Sequence, residues 1–189
     1  MQKKKVRVIL YFVTICVMVG GYISWKISTV PQEAIHLHAN FLVLKDGVIQ
    51  DYSDDKYMEF EPCTLDEKHG FFEKEERVHL HNTIGTVAHV HAPGVKWSEL
   101  FSILGVDGVS ESYIVHGKKV DDLDKKAIQP QDRALIILGT IPKDVDALFA
   151  QVPSDAIEYD QGKKGVESCF TSGSESYSLW QRFRIAFGM

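Results

Sequence analysis

The stretch HLHNTIGTVAHVH, residues 79–91, sets two His-x-His pairs, His79/His81 and His89/His91, on either side of Gly85. In a β-strand the side chains of residues i and i+2 leave the same face, so each pair aims two imidazoles in one direction. The neighbouring residues alternate to match. Val78, Leu80, Ile84, Ala88 and Val90 make the even positions mostly apolar, while Arg77, His79, His81, Thr83, His89 and His91 make the odd ones mostly polar. A period of two predicts a hairpin with one packed face and one histidine face. Folding about Gly85 would set His79 opposite His91 and His81 opposite His89, with opposed Cβ atoms about 4.5–5.5 Å apart.

A third pair, His36/His38, lies upstream with the parity reversed: Ile35, Leu37, Ala39, Phe41 and Val43 form the apolar set, and His36, His38 and Asn40 the polar one. The three pairs hold six of the eight histidines. A single such pair is commonly an ordinary surface feature of an amphipathic strand. Three pairs on matching faces favour metal ligation, because imidazole is the usual side-chain ligand of zinc and copper. Crowded imidazoles without a metal would also repel on protonation near their unperturbed pKa of about 6.5. The candidate ligands are therefore His36, His38, His79, His81, His89 and His91, with copper or zinc as the expected ion. They exceed what one tetrahedral ion needs, so either one ion takes three or four of them or two ions share the cluster. His69, within DEKHGFFEKEE, reads as solvated, and His116, within YIVHGKKV, reads as a turn-proximal surface residue with a seventh ligand as the alternative.

Four basic residues, Lys3, Lys4, Lys5 and Arg7, precede an uncharged run of 18 residues from Val8 to Trp25. That run is just long enough to span a bilayer, and its basic flank predicts a cytoplasmic N-terminus with the remainder exported. A cleaved signal peptide is the competing reading. Val19-Gly20-Gly21 is a weak cleavage site, and Ile15 occupies the place where a lipoprotein box before Cys16 would carry a small residue. An uncleaved, single-pass signal anchor in the cell membrane is thus expected. Without those four basic residues the chain carries 17 Lys and Arg against 26 Asp and Glu, a net charge near −9. This disfavours nucleic acid as a partner, since binding it needs a basic footprint, and it suits cations. Cys16 falls within the apolar run, which leaves Cys63 and Cys169 as an expected disulfide on an oxidising side; metal thiolation is the alternative.

The expected organisation is a basic end and transmembrane anchor over 1–25, a linker over 26–34, a histidine-rich domain over 35–141 and a helical extension over 142–189. Asp46-Gly47 between apolar runs predicts a hairpin. Trp97, Leu100, Phe101 and Leu104 stand at helical spacing before a stop at Gly105. Strands are expected over Ser112–His116 and Ala134–Leu138, and residues 52–76 read as a charged, irregular loop. Lys143–Gln151 and Ser176–Phe187 read as helices. The second carries Leu179, Phe183 and Phe187 on one stripe with Trp180, Arg182 and Arg184 beside it. Docking onto the domain core is its favoured place, and the membrane surface is the alternative. The fold class is therefore α+β: an N-terminal transmembrane helix, then one mainly antiparallel β domain with a packed helix and a helical tail.

The order of hairpin, helix and two further strands, with YIVHGKKVDDL and IQPQDRALIILGT, resembles the closing half of ubiquitin-like β-grasp domains over residues 77–140. Residues 36–140 as a whole resemble a group of uncharacterised membrane-anchored proteins of bacteria and archaea, which carry an HxH strand, a second histidine-rich hairpin and a Leu-Phe-rich helix. This resemblance implies a β-grasp-like domain and extracytoplasmic metal binding.

No HExxH, phosphate loop or nucleophile–base arrangement is present, and Glu59, Glu61 and Glu73 receive no catalytic role. The leading functional expectation is metal sequestration, delivery or sensing. The alternatives are an extracytoplasmic metalloenzyme and a structural module of a membrane assembly, with a membrane protein as partner and histidines as a pH-sensitive interface.

Overall fold

Strand β1 (Leu37–Lys45, LHANFLVLK) is buried from His38 to Leu44, so both of its faces are covered. In the computed structural model, which describes residues 2–58, 77–106, 112–115, 117–161 and 176–188, β1 is the centre of a mixed sheet. It runs antiparallel to β4 (Val87–Val90), from Leu37↔Val90 to Asn40↔Val87, and parallel to β7 (Arg133–Leu138), from Asn40↔Arg133 to Lys45↔Leu138. Strand β3 (Val78–His79) extends the sheet beyond β4. On the other side, β5 (Ser112–Val115) and β6 (Lys118–Val120) extend it beyond β7, giving the order β3-β4-β1-β7-β5-β6. Among the named strands, every pairing except β1/β7 is antiparallel. The expected Asp46-Gly47 hairpin is present: β2 (Val48–Ile49) pairs with the end of β1 through Lys45↔Val48. Asp46 and Gly47 have φ of 49° and 82°, as a tight two-residue turn matched to strand twist requires.

The odd residues of β1 face helix α2 (Trp97–Ile103). Phe41 meets Phe101 edge-on at 5.7 Å between ring centroids, and Trp97 stacks on Phe101 at 5.8 Å. Trp97, Leu100, Phe101 and Leu104 are buried, as their helical spacing predicts. Glu99 holds the helix start by accepting from the Lys96 amide, and its second oxygen accepts from Arg77 Nε at 3.1 Å.

The even residues of β1 read His38, Asn40, Leu42, Leu44, so this face changes along the strand from polar to apolar. At the apolar end Leu42, Leu44, Leu135, Ile137 and Val152 form a cluster capped by Val145, Leu148 and Phe149 of helix α3 (Val145–Phe149). Arg133 lies over the Phe149 ring at 5.1 Å and donates to the carbonyls of Phe149, Val152 and Pro153. That clamp directs the chain into helix α4 (Ala156–Asp160), which packs on β1.

The chain divides into two compact units, one containing α1 (Gln2–Ser28) and α5 (Leu179–Phe187), the other the sheet with α2, α3 and α4. Over Ile9–Ser28, α1 is long and apolar enough to cross a membrane. At 1.5 Å per residue, 20 residues reach about 30 Å. Within this unit Arg182 donates to the carbonyls of Ile27 and Val30 at 3.0 and 3.2 Å, and the Tyr177 amide donates to Gln32. These bonds tie the last turn of α1 and the residues just after it to α5 and the segment that leads into it. The last helix, expected on the domain core or on the membrane surface, packs with α1. Trp180 stacks on Phe183 at 5.4 Å while Leu179 and Trp180 stay exposed. The expected disulfide residues Cys63 and Cys169, together with His69, His116, Glu59, Glu61 and Glu73, lie outside the described residues.

Candidate metal centre

Strand β4 lies between β1 and β3, and His89 on it is the register partner of both His38 and His79. Three histidines thus form a row across three strands, on the face opposite α2. His36 and His91, one step along, stack at 4.8 Å with their planes 14° apart. His81 completes the cluster, 4.5 Å from His79 and 4.8 Å from His89. All six sequence-predicted ligands therefore share one patch. His36 is partly exposed and the other five are buried, His89 to 0% exposure.

The hairpin register differs from a fold centred on Gly85. The observed pairs are His79↔His89 and Val78↔Val90, not His79↔His91. Asn82 and Thr83 both have φ of 56°, and the Ile84 amide donates to the His81 carbonyl at 3.0 Å, so the tight turn falls before Gly85. Gly85 instead lies against the backbone of Tyr52 and Ser53, where a Cβ would approach to 2.6 Å. The displacement is two residues, an even number, and so it keeps every histidine on its predicted face.

Ligand atoms fall into two groups of three, His36/His38/His89 and His79/His81/His91, within each of which the atoms lie within 4.8 Å of one another. Either group could hold a metal ion. The pair His89/His91, at and just past the end of β4, is divided between them, His89 joining His36 and His38, and His91 joining His79 and His81. His38 Nε2 and His89 Nδ1 are 3.1 Å apart. Two nitrogens about one tetrahedral ion at 2.0–2.1 Å would be separated by roughly 3.3 Å, so this spacing fits a shared ion.

Helix α4 packs against the His38 and His89 side of the patch. Asp160 accepts from the His38 amide at 3.1 Å and lies 2.6 Å from His38 Nδ1. The carboxylate thereby orients the ring with Nε2 toward His89, an arrangement that fixes the tautomer and raises the basicity of a ligating imidazole. Tyr159 places its ring 5.8 Å from that of His38 and 6.3 Å from that of His89. Asn40, two residues beyond His38, accepts from the Ala156 amide at 2.9 Å and donates to Asp155 Oδ1 at 2.8 Å, fastening the start of α4 to β1. Sequence reasoning missed Asn40 as an anchor, and Asp155, Tyr159 and Asp160 as the cover. The available signal was Asn40 itself, a polar residue continuing the histidine face into a buried strand.

Burial pushes the imidazoles of His89 and His91 well below the usual histidine pKa, and neighbouring imidazoles push the same way, His38 most for His89 and His79 most for His91. Both rings are neutral at pH 7 and keep a lone pair for a cation. The chain matches no family model, no curated protein and no solved structure.

Proposed function

We propose that the protein is a membrane-anchored, extracytoplasmic binder of copper or zinc, acting in sequestration, delivery or sensing of the ion. The observation that carries this reading is the gathering of six imidazoles, five of them buried, into two three-nitrogen groups on one sheet face, beside a helix that contributes an orienting carboxylate. His36, His38, His79, His81, His89 and His91 are its ligands. An all-imidazole set suits Zn(II) and Cu(II), and the Irving–Williams order favours copper where both are present. The order β4-β1-β7-β5-β6, with a parallel central pair and α2 on one face, supports the β-grasp-like domain that the sequence resembles. Lys3, Lys4, Lys5 and Arg7, ahead of the apolar run within α1, support an inward N-terminus and an exported sheet domain. On that oxidising side an even pair, Cys63 and Cys169, is assigned as a disulfide.

The test is metal analysis of the full chain purified in detergent without chelators, and again after stripping and reloading with copper or zinc. Stoichiometric retention is expected; a protein that holds no metal after loading refutes the reading. Protease protection in vesicles checks the orientation, and mass analysis of unreduced peptides checks the disulfide. Each group brings three nitrogens from the described residues, one fewer than a closed tetrahedral site, which also supports a metalloenzyme as the second reading. Turnover by the loaded protein would select it.

A further inference from the structure

Resting on the metal-binding reading, we infer that the six histidines form one dinuclear centre, with one ion in each three-histidine group, which binds a small anion between the two ions. Three observations carry this. First, the two groups have no member in common and each brings three ligand atoms within 4.8 Å of one another. A single four-coordinate ion uses at most four of six imidazoles and leaves the rest without a coordinating role.

Second, the groups touch. The His36 and His91 rings, which belong to different groups, lie 4.8 Å apart, as do those of His81 and His89. Within the groups the corresponding separations are 4.5 Å for His38–His89, 4.7 Å for His36–His38 and 4.8 Å for His79–His91. The 4.8 Å contacts between the groups fall inside the 4.5–6.2 Å range found within them, and ions seated in both would be near neighbours. Strand pairing causes this, because His89 on β4 and His91 just beyond it, two residues apart on one face, join different groups.

Third, compensating charge is scarce among the described ligands. Two divalent ions would bring four positive charges to imidazoles that are uncharged when they coordinate a metal, and among the described residues Asp160 is the carboxylate seen bonded to a ligand. Each ion has three protein nitrogens and at least one further position to fill. A hydroxide or another small anion bridging both ions fills two positions at once and offsets charge, the role such ligands take when two ions lie about 3.5–4 Å apart.

Titration of the stripped, detergent-solubilised full chain with Cu(II) tests this, followed by metal analysis and electron paramagnetic resonance. Two copper ions per chain are expected, with a spectrum broadened or diminished by coupling between them. Azide, used as the probe anion, should bind once per copper pair and alter the charge-transfer absorption. The double variant His79→Ala/His91→Ala should retain one copper with the sharp spectrum of an isolated ion and lose the azide response of the pair. His36→Ala/His38→Ala should do the same from the other side. Wild-type stoichiometry requires no variant to fold, so it stands as a separate measure. One copper per chain, or two with isolated-ion spectra and two azides, overturns the dinuclear centre while leaving metal binding intact. No copper at all would overturn the metal-binding reading as well.

Discussion

The carboxylate of Asp160 lies 2.6 Å from Nδ1 of His38, although the two residues are 122 positions apart in the chain. Helix α4 thus supplies the second contact of a ring whose first duty, on Nε2, faces His89. Removing the carboxylate with Asp160→Ala should lower copper or zinc affinity by about 10–100-fold, the scale for losing a group that orients a ligating histidine. Asp160→Asn keeps an acceptor but not the charge and should fall between. Competition with a chelator of known affinity measures both. Equal affinity in all three proteins would mean that His38 is not a ligand.

The pair His79 and His89, directly opposed in register, belong to different three-histidine groups. Replacing both with alanine removes one ligand from each group and should weaken binding by at least about tenfold. Unchanged titration curves would place the ligands elsewhere.

Acid should act on the metal-free fold itself. His89 and His91 have pKa values lowered well below 6.5 in the folded state, while in the unfolded chain they titrate near about 6.5. Below that pH the unfolded chain binds protons that the folded one refuses, so stability rises with pH in this window and is lost as pH falls from about 6.5 toward the folded values. Chemical denaturation of the stripped protein at pH 7.5 and 5.5 should show a lower midpoint at the acidic value. Protons also compete for imidazole nitrogen, so acidification through about pH 6 should release the metal. Retention at pH 4 would point to thiolate or carboxylate ligands.

Gly85→Ala introduces a methyl group 2.6 Å from the Ser53 nitrogen and the Tyr52 carbonyl carbon. Both are backbone atoms and cannot swing aside. A loss of stability of about 1–3 kcal/mol is expected, as for other overpacked sites, with loosened metal binding because this contact helps set the β3–β4 connection. A melting temperature equal to wild type would show that the Tyr52–Ser53 backbone moves freely.

Asn40→Leu leaves the Ala156 amide and the Asp155 carboxylate without the partner they have in β1. The expected cost is about 1–3 kcal/mol for the unsatisfied groups, accompanied by faster metal release as the start of α4 loosens. Stopped-flow transfer of the ion to a chelator reads the second effect, and an unaltered release rate would argue that α4 does not cover the centre.

Local order in the sequence determined much of this molecule. Alternation at period two assigned all six histidines to faces, Asp46-Gly47 specified its turn, and the spacing of Trp97, Leu100, Phe101 and Leu104 specified α2 and its buried side. These are short-range consequences of backbone geometry, so residue identity suffices for them. Register was not determined: period two is unchanged by a slip of two residues, and the choice between His79↔His91 and His79↔His89 fell to the Asn82-Thr83 turn and to Gly85 seated on Tyr52–Ser53. Nor did the sequence show that β1 would lie between β4 and β7, or that Asn40, Asp155 and Asp160 would fasten a helix over the histidines. A histidine-bearing strand looks half-solvated on its own. Only the tertiary structure, by pairing β1, β4 and β3 side by side and packing α4 against His38 and His89, gathered three pairs of surface-type residues into one largely buried cluster.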